Sequence, residues 1–292
     1  MKEATLKVKL LRYTPAGEEL IASAGKLCYS PVGIDEIEKN LDDEKVKDFV
    51  GRLMRMGHES PLEHMTFTFG IEGISRACSH QLVRHRIASY SQQSQRYVKE
   101  NEFDYVVPKD IKECKEGIVK DGFVAYESPL AFYETVMEYN QQAYNMLVEA
   151  LLVSYIKDYW RCEGVPEFKL AEDFSPVNRV KSIEYFKKQH SKAYSKLEKR
   201  AIENARYILP NACETKIIVT MNARELLHFF TLRCCRRAQD EIRNLADRML
   251  EECKKVAPVI FAKAGSPCVR GKCPEGEMTC GKPRKIVGGK LV

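Results

Sequence analysis

The sequence of 292 residues lacks the features that would send it into or across a membrane. Its first residues, MKEATLKVKLLRY, alternate charge with apolar side chains and contain no apolar core of a signal peptide. The most apolar helical stretch, Ala143 to Ile156, is interrupted by Glu149 and is too short to cross a bilayer. These absences predict a cytoplasmic protein with no membrane partner.

Signs of a disulfide framework are also missing. The 11 cysteines are an odd number, and a chain of this length buries a core without crosslinks. Most cysteines are therefore expected to be free thiols or metal ligands. Three of them, Cys268, Cys273 and Cys280, could hold zinc together with a fourth ligand. Their spacings of four and six residues match no common zinc module, so we predict no metal site.

The familiar nucleotide-binding signatures are absent. No three glycines follow the pattern G-x-G-x-x-G, which excludes the Rossmann fingerprint. The stretch GEMTCGKP, from Gly276 to Pro283, approaches a phosphate-binding P-loop. However, Pro283 stands where a serine or threonine would bind the metal, and no predicted strand precedes the stretch. The formal net charge of +6 is a mild excess and does not by itself indicate nucleic acid.

Acidic residues are missing from one particular segment, between Gly73 and Lys99. It contains RHRIASYSQQSQRY, from Arg84 to Tyr97. Neighbouring guanidiniums repel one another unless an anion lies between them, and arginine offers a planar fork of donors to phosphate or to a carbonyl edge. The hydroxyls and amides of residues 91–95 add neutral donors. The segment predicts a site for a phosphate or an electron-rich heterocycle. On charge alone, a solvated basic face or a nucleic-acid site is equally open.

Hydrophobic periodicity predicts both strands and helices. Alternation predicts strands at residues 6–10 and 65–71, and an apolar run predicts a third strand at 217–220. Helices are predicted over residues 18–29, from a cap at Asp42-Asp43 to Gly57, after Ser75, over 129–160, over 180–207 and from Asn222 to about Val256. Glu225 is the expected capping-box partner of Asn222. The basic segment is expected at the end of the helix that follows Ser75 and in a loop beyond it.

Two further segments contain titratable groups. The turn from His58 to His64 could bind a metal, but its histidines lack the i, i+4 spacing of a zincin, which favours a polar turn with local hydrogen bonds. The helix from Asn222 presents free N–H groups and a positive dipole end, and Arg224 and His228 lie one turn apart on it. That helix start is a natural anion site. Further along, Arg236 and Arg237 are expected to pair with the acids four residues beyond each.

Together these segments resemble the flavin-dependent thymidylate synthases. Arg84-His85-Arg86, seven residues and then Ser94 fit the signature R-H-R-x7-S of that family. The other similar segments are His58 to His64 with the strand after it, Ala205 to Pro210, and Asn222 to Leu226 continuing to Leu232-Arg233. The resemblance covers most of the chain from Leu6 to Val256.

The resemblance implies an enzyme that methylates dUMP to dTMP. It implies FAD as redox cofactor, methylenetetrahydrofolate as carbon donor, NADPH as reductant, hydride transfer from reduced flavin and no enzyme nucleophile. It also implies a homotetramer of α+β subunits, with long helices around a central antiparallel-type sheet and active sites where subunits meet. We expect one domain over residues 1–264 with a helical insertion at about 157–199, followed by a Cys/Gly-rich tail over 265–292. A basic nucleic-acid-binding protein is the alternative.

Site residues follow position by position from the same resemblance. The residues expected to contact FAD are Ser60, Arg84, His85, Arg86, Gln92, Asn222, Arg224 and His228. Those expected to contact dUMP are Gln81, Leu82, Val83, Arg84, Gln92, Gln93, Ser94, Gln95, Arg96, Arg206 and Arg233. Among them Ser94 and Arg96 would meet the phosphate, and a neighbouring subunit would supply Arg206. Arg233 is the catalytic residue, placed to stabilise negative charge as N3 of uracil loses its proton.

The sequence departs from the family at two of these positions, Gln92 and His228, and at Arg237 outside them. Ser91-Gln92 stands where some members have Asn-Glu, so a carboxylate is missing from the expected contacts of Gln92. His228 stands where some members have asparagine. Arg237 stands where some have histidine, and it is given no cofactor role.

Overall fold

The computed structural model describes residues 1–117, 119–121, 124–175 and 177–292. Its strands are β1 (Lys7–Tyr13), β2 (Thr66–Ser75), β3 (Ala88–Gln92), β4 (Val119–Asp121), β5 (Val124–Tyr126), β6 (Glu214–Asn222), β7 (Ile286–Val287) and β8 (Lys290–Leu291). Its helices are α1 (Gly17–Leu27), α2 (Ile34–Lys39), α3 (Asp43–Met56), α4 (Arg76–Leu82), α5 (Lys109–Glu113), α6 (Pro129–Cys162), α7 (Glu167–Asp173), α8 (Arg179–Gln189), α9 (Ser191–Ala205), α10 (Ala223–Arg233) and α11 (Asp240–Val256). The predicted mixed α+β class is confirmed.

The chain divides into two compact units. The sheet unit comprises residues 4–92 and 214–292, and the helical unit comprises residues 1–3 and 93–213. The predicted boundaries at 157, 199 and 264 stay predictions, and residue 176 of the expected insertion lies outside the described residues.

The sheet unit is built on a four-stranded antiparallel sheet with the order β1-β2-β6-β3. Because side chains alternate along a strand, cross-strand neighbours share a face. Phe67 lies opposite Met221, and Phe69 lies opposite Val219, and all four are buried. Helices α1, α3, α10 and α11 cover this face with their own apolar side chains and complete one hydrophobic core.

Helix starts in this unit follow the predicted caps. The side chains of Asp42, Ser75 and Asn222 each accept a hydrogen bond from the backbone N–H three residues ahead. Gly57 ends α3 in a left-handed conformation with φ 71°. The capping box at Asn222 forms only in part, because the carboxylate of Glu225 contacts His85 instead.

The prediction of one continuous helix from Asn222 to about Val256 is wrong. Helix α10 ends at Arg233 and α11 begins at Asp240. Side chains satisfy the carbonyls of the intervening turn, since Arg243 donates to the carbonyls of Arg236 and Ala238, and Arg284 donates to the carbonyl of Cys234. Because side chains donate to these carbonyls, the helix can end here without leaving its last carbonyls unpaired.

The ion pairs expected from a continuous helix are accordingly wrong as well. Arg237 pairs with Glu275 in the C-terminal tail, and Asp240 pairs with Arg243. Glu241 turns to the start of α4, where its carboxylate accepts hydrogen bonds from the backbone N–H and the hydroxyl of Ser75, at 2.6 and 2.7 Å.

The loop expected beyond α4 is also wrong in part, because residues 88–92 form strand β3. Ala88 and Tyr90 lie opposite Met221 and Val219 of β6 and pack against the core, whereas Ser89 and Ser91 are exposed. The segment has the two-residue period of a strand, with hydroxyls on its exposed face.

Gly73 in β2 is a backbone position that only glycine fits. Its φ is +73°, and a Cβ there would overlap the backbone of Thr5 and Leu6. We expect Gly73→Ala to lower the free energy of unfolding by at least about 2 kcal/mol. The matched control is Gly51→Ala inside α3, which meets only ordinary contact and should stabilise by about 0.5–1 kcal/mol. Urea denaturation of both variants measures the difference, and equal stabilities would contradict the assignment.

The helical unit is organised around α6, a helix of 34 residues. Its buried side chains, including Tyr144, Val148 and Ile156, form an apolar cluster with Phe186 of α8 and Ile202 of α9. Among the residues that the structure describes, no helix is both long enough and apolar enough to cross a membrane.

The helix predicted over residues 180–207 is interrupted. Helix α8 ends at Gln189, His190 takes a non-helical conformation, and α9 begins at Ser191. The ring of His190 stacks on Phe186 and lies against Tyr159 and Trp160, with ring centroids 5.0–5.3 Å apart. Aromatic packing of this kind outweighs the helical preference of the flanking residues.

Candidate functional site

Helix α10 forms one wall of a large cavity within the sheet unit, which we call the α10 cavity. Its volume is about 1390 Å³. The helix presents Arg224, Leu227, His228 and Thr231, which share one face at helical spacing. The other walls come from Lys47, Gly51, Met54 and Arg55 of α3, from Glu59, Glu63 and Ile87, and from residues 258–260, 262–264 and 270.

The start of α10 opens onto this cavity. Asn222 caps the helix by accepting a hydrogen bond from the backbone N–H of Glu225 at 2.8 Å. The N-terminus of an 11-residue helix carries a partial positive charge that favours anions. Asn222, Arg224 and His228 all line the cavity, so the structure brings three of the predicted FAD residues together.

Positive charge exceeds negative charge around the α10 cavity. Arg224 is already compensated, because its guanidinium lies 3.3 Å from a carboxylate oxygen of Glu59 and 2.5 Å from one of Glu63. By contrast, four other lining cations form no ion pair with any described residue: Lys47, Arg55, Lys263 and Arg270. A cavity with uncompensated cations beside a helix N-terminus is suited to an anionic ligand.

The turn that faces Arg224 is the segment from His58 to His64. Residues Ser60–His64 form one turn of 3-10 helix, with Pro61 and Leu62 buried. Nδ1 of His58 lies 2.8 Å from the hydroxyl of Tyr29. In the sequence, Ser60 lies between Glu59 and Glu63, the two acids that pair with Arg224. The backbone N–H of Leu62 donates to the carbonyl of Glu59, a local hydrogen bond of the kind expected from the sequence, whereas the side-chain contacts reach Tyr29 and Arg224 far along the chain.

The arginine–histidine–arginine signature separates into two kinds of residue. Arg84 and Arg86 are exposed, and within the described part of the chain neither forms an ion pair. His85 between them is only 5% exposed, and its ring packs edge-on against Phe229 at 4.8 Å. The two guanidiniums are thus free to meet an anion, whereas the imidazole is part of the protein interior.

His85 links a carboxylate to Arg233. Its Nδ1 lies 3.3 Å from Oε1 of Glu225, and its Nε2 lies 3.1 Å from Nε of Arg233. Since the Arg233 Nε–H can only donate, Nε2 must accept and Nδ1 must carry the proton. Burial, together with the charges of Arg233 and His228, lowers the pKa of His85 to about 4. The imidazole is therefore neutral at pH 7, as this hydrogen-bond pattern requires.

Arg233 keeps its full charge in this arrangement. It is half-buried, and its second contact is a 3.5 Å hydrogen bond from Nη2 to the backbone carbonyl of Gln81. No described carboxylate forms an ion pair with it. A neutral histidine and a carbonyl thus orient the guanidinium without neutralising it, and leave its charge for a ligand.

The lowered pKa of His85 makes stability depend on pH. The unfolded chain binds a proton at His85 below about pH 6.5, whereas the folded chain does so only below about pH 4. The folded state is thus disfavoured progressively as pH falls from 6.5 to 4. We expect the urea midpoint of the wild type to fall more steeply over this window than that of His85→Gln. Parallel curves for the two proteins would contradict the buried neutral imidazole.

Side chains near the signature are placed by β3 and α4. Leu82 is fully buried, so its side chain belongs to the core, and its carbonyl and that of His85 lie 2.9 and 2.8 Å from the hydroxyl of Tyr90. Val83 is exposed. The amide nitrogen of Gln92 donates to the buried hydroxyls of Ser79 and Thr215. At the position where the family carboxylate is missing, Gln92 is therefore held by two hydroxyls of the sheet unit.

The other predicted dUMP residues belong to the helical unit. These are Gln93, Ser94, Gln95, Arg96 and Arg206. The hydroxyl of Ser94 accepts a hydrogen bond from the backbone N–H of Arg96 at 3.2 Å. The guanidinium of Arg96 lies 2.6 Å from the carboxylate of Glu203 on α9. The partner of Arg96 thus comes from elsewhere in the chain, whereas Arg84 and Arg86 form no ion pair with a described residue.

Several residues of the α10 cavity were not predicted from the sequence. Lys47 and Arg55 lie two turns apart on α3, and their shared face is a signal that helical periodicity could have provided. Lys263 and Arg270 follow the segment of resemblance, which ends at Val256, and nothing in their spacing indicates the cavity.

The cysteines of the tail gather around a separate, small cavity of about 20 Å³. Cys268, Cys273 and Cys280 line it together with Cys235. Among the described residues, no three His, Cys, Asp or Glu side chains are arranged to hold a metal ion. The tail itself is anchored by Arg284, which donates to the carboxylate of Asp247 at 2.8 Å.

The fold and the cavity together define an α+β protein with a cation-lined anion site at a helix N-terminus. The family described as "Thymidylate synthase complementing protein" matches residues 9–259, and the chain belongs to that family. The resemblance found in the sequence is thereby confirmed.

Two relatives over nearly the whole chain are named flavin-dependent thymidylate synthase. The one from Clostridium tetani is 49% identical over 285 residues, which cover 98% of this chain and 97% of the relative. The one from Geobacter sulfurreducens is 45% identical over 283 residues, which cover 96% of each chain. These similarities extend into the tail beyond residue 264.

A solved structure shares the fold. It is the UMP/dUMP methylase PolB from Streptomyces cacaoi bound with 5-Br dUMP, with a TM-score of 0.60 and 20% identity. The similarity covers 89% of this chain and 95% of that one. At this identity the similarity establishes the fold alone.

Proposed function

We propose that this chain is a flavin-dependent thymidylate synthase that methylates dUMP to dTMP. FAD is its redox cofactor, methylenetetrahydrofolate its carbon donor and NADPH its reductant. The observation that carries the proposal is Arg233, a half-buried guanidinium that a neutral His85 orients and no described carboxylate neutralises. Such a cation stabilises the negative charge of a uracil that has lost its N3 proton, which activates C5.

The residues of the α10 cavity fit FAD. Its uncompensated cations and the N-terminus of α10 suit a diphosphate, and its volume accommodates a dinucleotide. Asn222, Arg224 and His228 would hold the cofactor from α10. Ser60 and the exposed Arg84 and Arg86 lie close in sequence to the wall residues Glu59 and Ile87. When bound, the flavin supplies the hydride for the methyl group. The protein orients the ligands and polarises the uracil.

The active enzyme is proposed to be a homotetramer in the cytoplasm, with Arg206 contributed to the nucleotide by a neighbouring subunit. The exposed position of Tyr207 beside Arg206 leaves this stretch open to such a contact. Light scattering of the purified protein tests the assembly directly, and a monomer with full activity would contradict it.

The absorption spectrum of the purified protein tests the proposed function. We expect a flavin spectrum that changes when dUMP is added, and NADPH oxidation that requires both dUMP and methylenetetrahydrofolate. A colourless protein that takes up no FAD would overturn the proposal. Salt-sensitive binding to random oligonucleotides without flavin would favour the nucleic-acid alternative instead.

Ser94→Ala is expected to weaken dUMP binding by about tenfold or more, because a hydroxyl donor to a phosphate is lost. FAD affinity should not change. Titration of the flavin absorbance with dUMP measures the dissociation constant. Ser89→Ala is the matched control, since Ser89 is an exposed hydroxyl of β3 with no proposed ligand contact. An unchanged dUMP affinity in Ser94→Ala would contradict the assigned role.

A further inference from the structure

One wall of the α10 cavity is made by residues that follow the part of the chain matched by the family. The family match ends at residue 259, whereas Ala262, Lys263, Ala264 and Arg270 also line the cavity. This wall contributes two of its four uncompensated cations, Lys263 and Arg270. The segment after α11 therefore adds positive charge to a cavity whose other cations come from α3.

Arg270 is held in a fixed orientation against α10. Its Nη1 donates to the carbonyls of Lys263 and Gly265, at 3.3 and 3.4 Å, and its Nη2 donates to the hydroxyl of Thr231 at 3.0 Å. The hydroxyl of Thr231 donates its own hydrogen bond to the carbonyl of Leu227, so its oxygen can accept from Arg270. Only neutral groups hold this guanidinium, and its charge is not compensated by a described carboxylate.

The hydrogen bonds leave part of the guanidinium available. A guanidinium has five N–H donors, and the three bonds use three of them. Within the described residues, no acceptor meets the other two. Lys263, whose carbonyl accepts from Arg270, adds an exposed ammonium on the same wall. Free donors on a fixed arginine beside a lysine match the oxygens of a phosphate better than any neutral group.

We infer that Arg270 and Lys263 form an anion subsite of the α10 cavity that binds a phosphate of a dinucleotide. The inference rests on the proposed function, which supplies two ligands with this chemistry: the diphosphate of FAD and the phosphates of NADPH. Arg270 provides directional donors, and Lys263 provides a mobile charge that follows the phosphate. The subsite extends ligand recognition beyond the positions that the family signature contains.

The test compares Arg270→Ala, Lys263→Ala and the control Lys272→Ala, an exposed lysine of the same segment that does not line the cavity. FAD affinity is measured by flavin fluorescence on protein stripped of cofactor. Michaelis constants for NADPH and NADH are measured on protein saturated with FAD. Thermal unfolding confirms that each variant folds. If Arg270→Ala does not fold, Lys263→Ala remains a valid test, since only the backbone carbonyl of Lys263 accepts from Arg270 and its side chain forms no hydrogen bond with a described residue.

We expect about a tenfold loss in one of two measurements. A weaker FAD affinity assigns the subsite to the diphosphate of FAD. A raised Michaelis constant for NADPH, with that for NADH unchanged, assigns it to the 2′-phosphate that only NADPH has. Unchanged values for both cofactors, a change confined to methylenetetrahydrofolate, or an equal loss in Lys272→Ala would overturn the inference. If the wild type itself takes up no FAD, the proposed function fails instead.

Discussion

Arg233→Ala is expected to retain FAD while turnover falls by about 10²–10³-fold. The guanidinium is the half-buried cation that no described carboxylate neutralises, and it lies at the end of α10, more than two turns from the helix start that opens onto the cofactor cavity. Truncation removes the charge that stabilises deprotonated uracil. It leaves Asn222, Arg224 and the cations of α3 and the tail in place for the cofactor.

Two measurements separate these effects. The ratio of flavin to protein absorbance reports cofactor content, and the rate of dUMP-dependent flavin oxidation in a single turnover reports chemistry. The matched control is Arg236→Ala, an exposed arginine three residues further on that lies outside the α10 cavity, and it should keep wild-type turnover. If Arg233→Ala instead loses FAD and regains turnover when FAD is supplied, Arg233 binds the cofactor and the catalytic role is wrong.

The fold was predictable where a local signal and the tertiary structure agree. The alternating residues 65–71 form β2, and the caps Asp42, Ser75 and Asn222 begin α3, α4 and α10. The break between α10 and α11 was not predictable, because Arg284 and Arg243 satisfy the carbonyls of the turn, and Arg284 reaches them from about fifty residues away. Periodicity within a segment contains no information about such a distant donor.

The site shows the same division. The signature identified Arg84, His85 and Arg86, but residue type alone did not distinguish the two exposed guanidiniums from the buried imidazole between them. Burial of His85 depends on Phe229 of α10 packing against its ring. Likewise, the role of Glu225 follows from its distance to His85, since its spacing from Asn222 is that of an ordinary capping box.

Glu225→Ala is the second change with a large expected effect. In the wild type the carboxylate accepts the Nδ1 proton of His85, which leaves Nε2 free to accept from Arg233. Without it, the buried Nδ1–H loses its acceptor, and the imidazole is no longer held in the orientation in which Nε2 accepts from Arg233. When the ring turns away, the guanidinium loses the acceptor that orients it and moves from its position. We expect turnover to fall roughly 10–100-fold, with FAD content and dUMP affinity nearly unchanged.

The helix cap is not affected by this substitution, because Asn222 accepts from the backbone N–H of residue 225 and not from its side chain. Glu225→Gln is therefore a sharp control. Its amide oxygen can still accept from Nδ1, so it should recover most of the turnover that Glu225→Ala loses. If the carboxylate served only for stability, its loss would lower the unfolding midpoint of both variants and leave turnover per folded enzyme unchanged. Glu225 would then have no part in positioning Arg233, and the neutral histidine would orient the arginine through Phe229 packing alone.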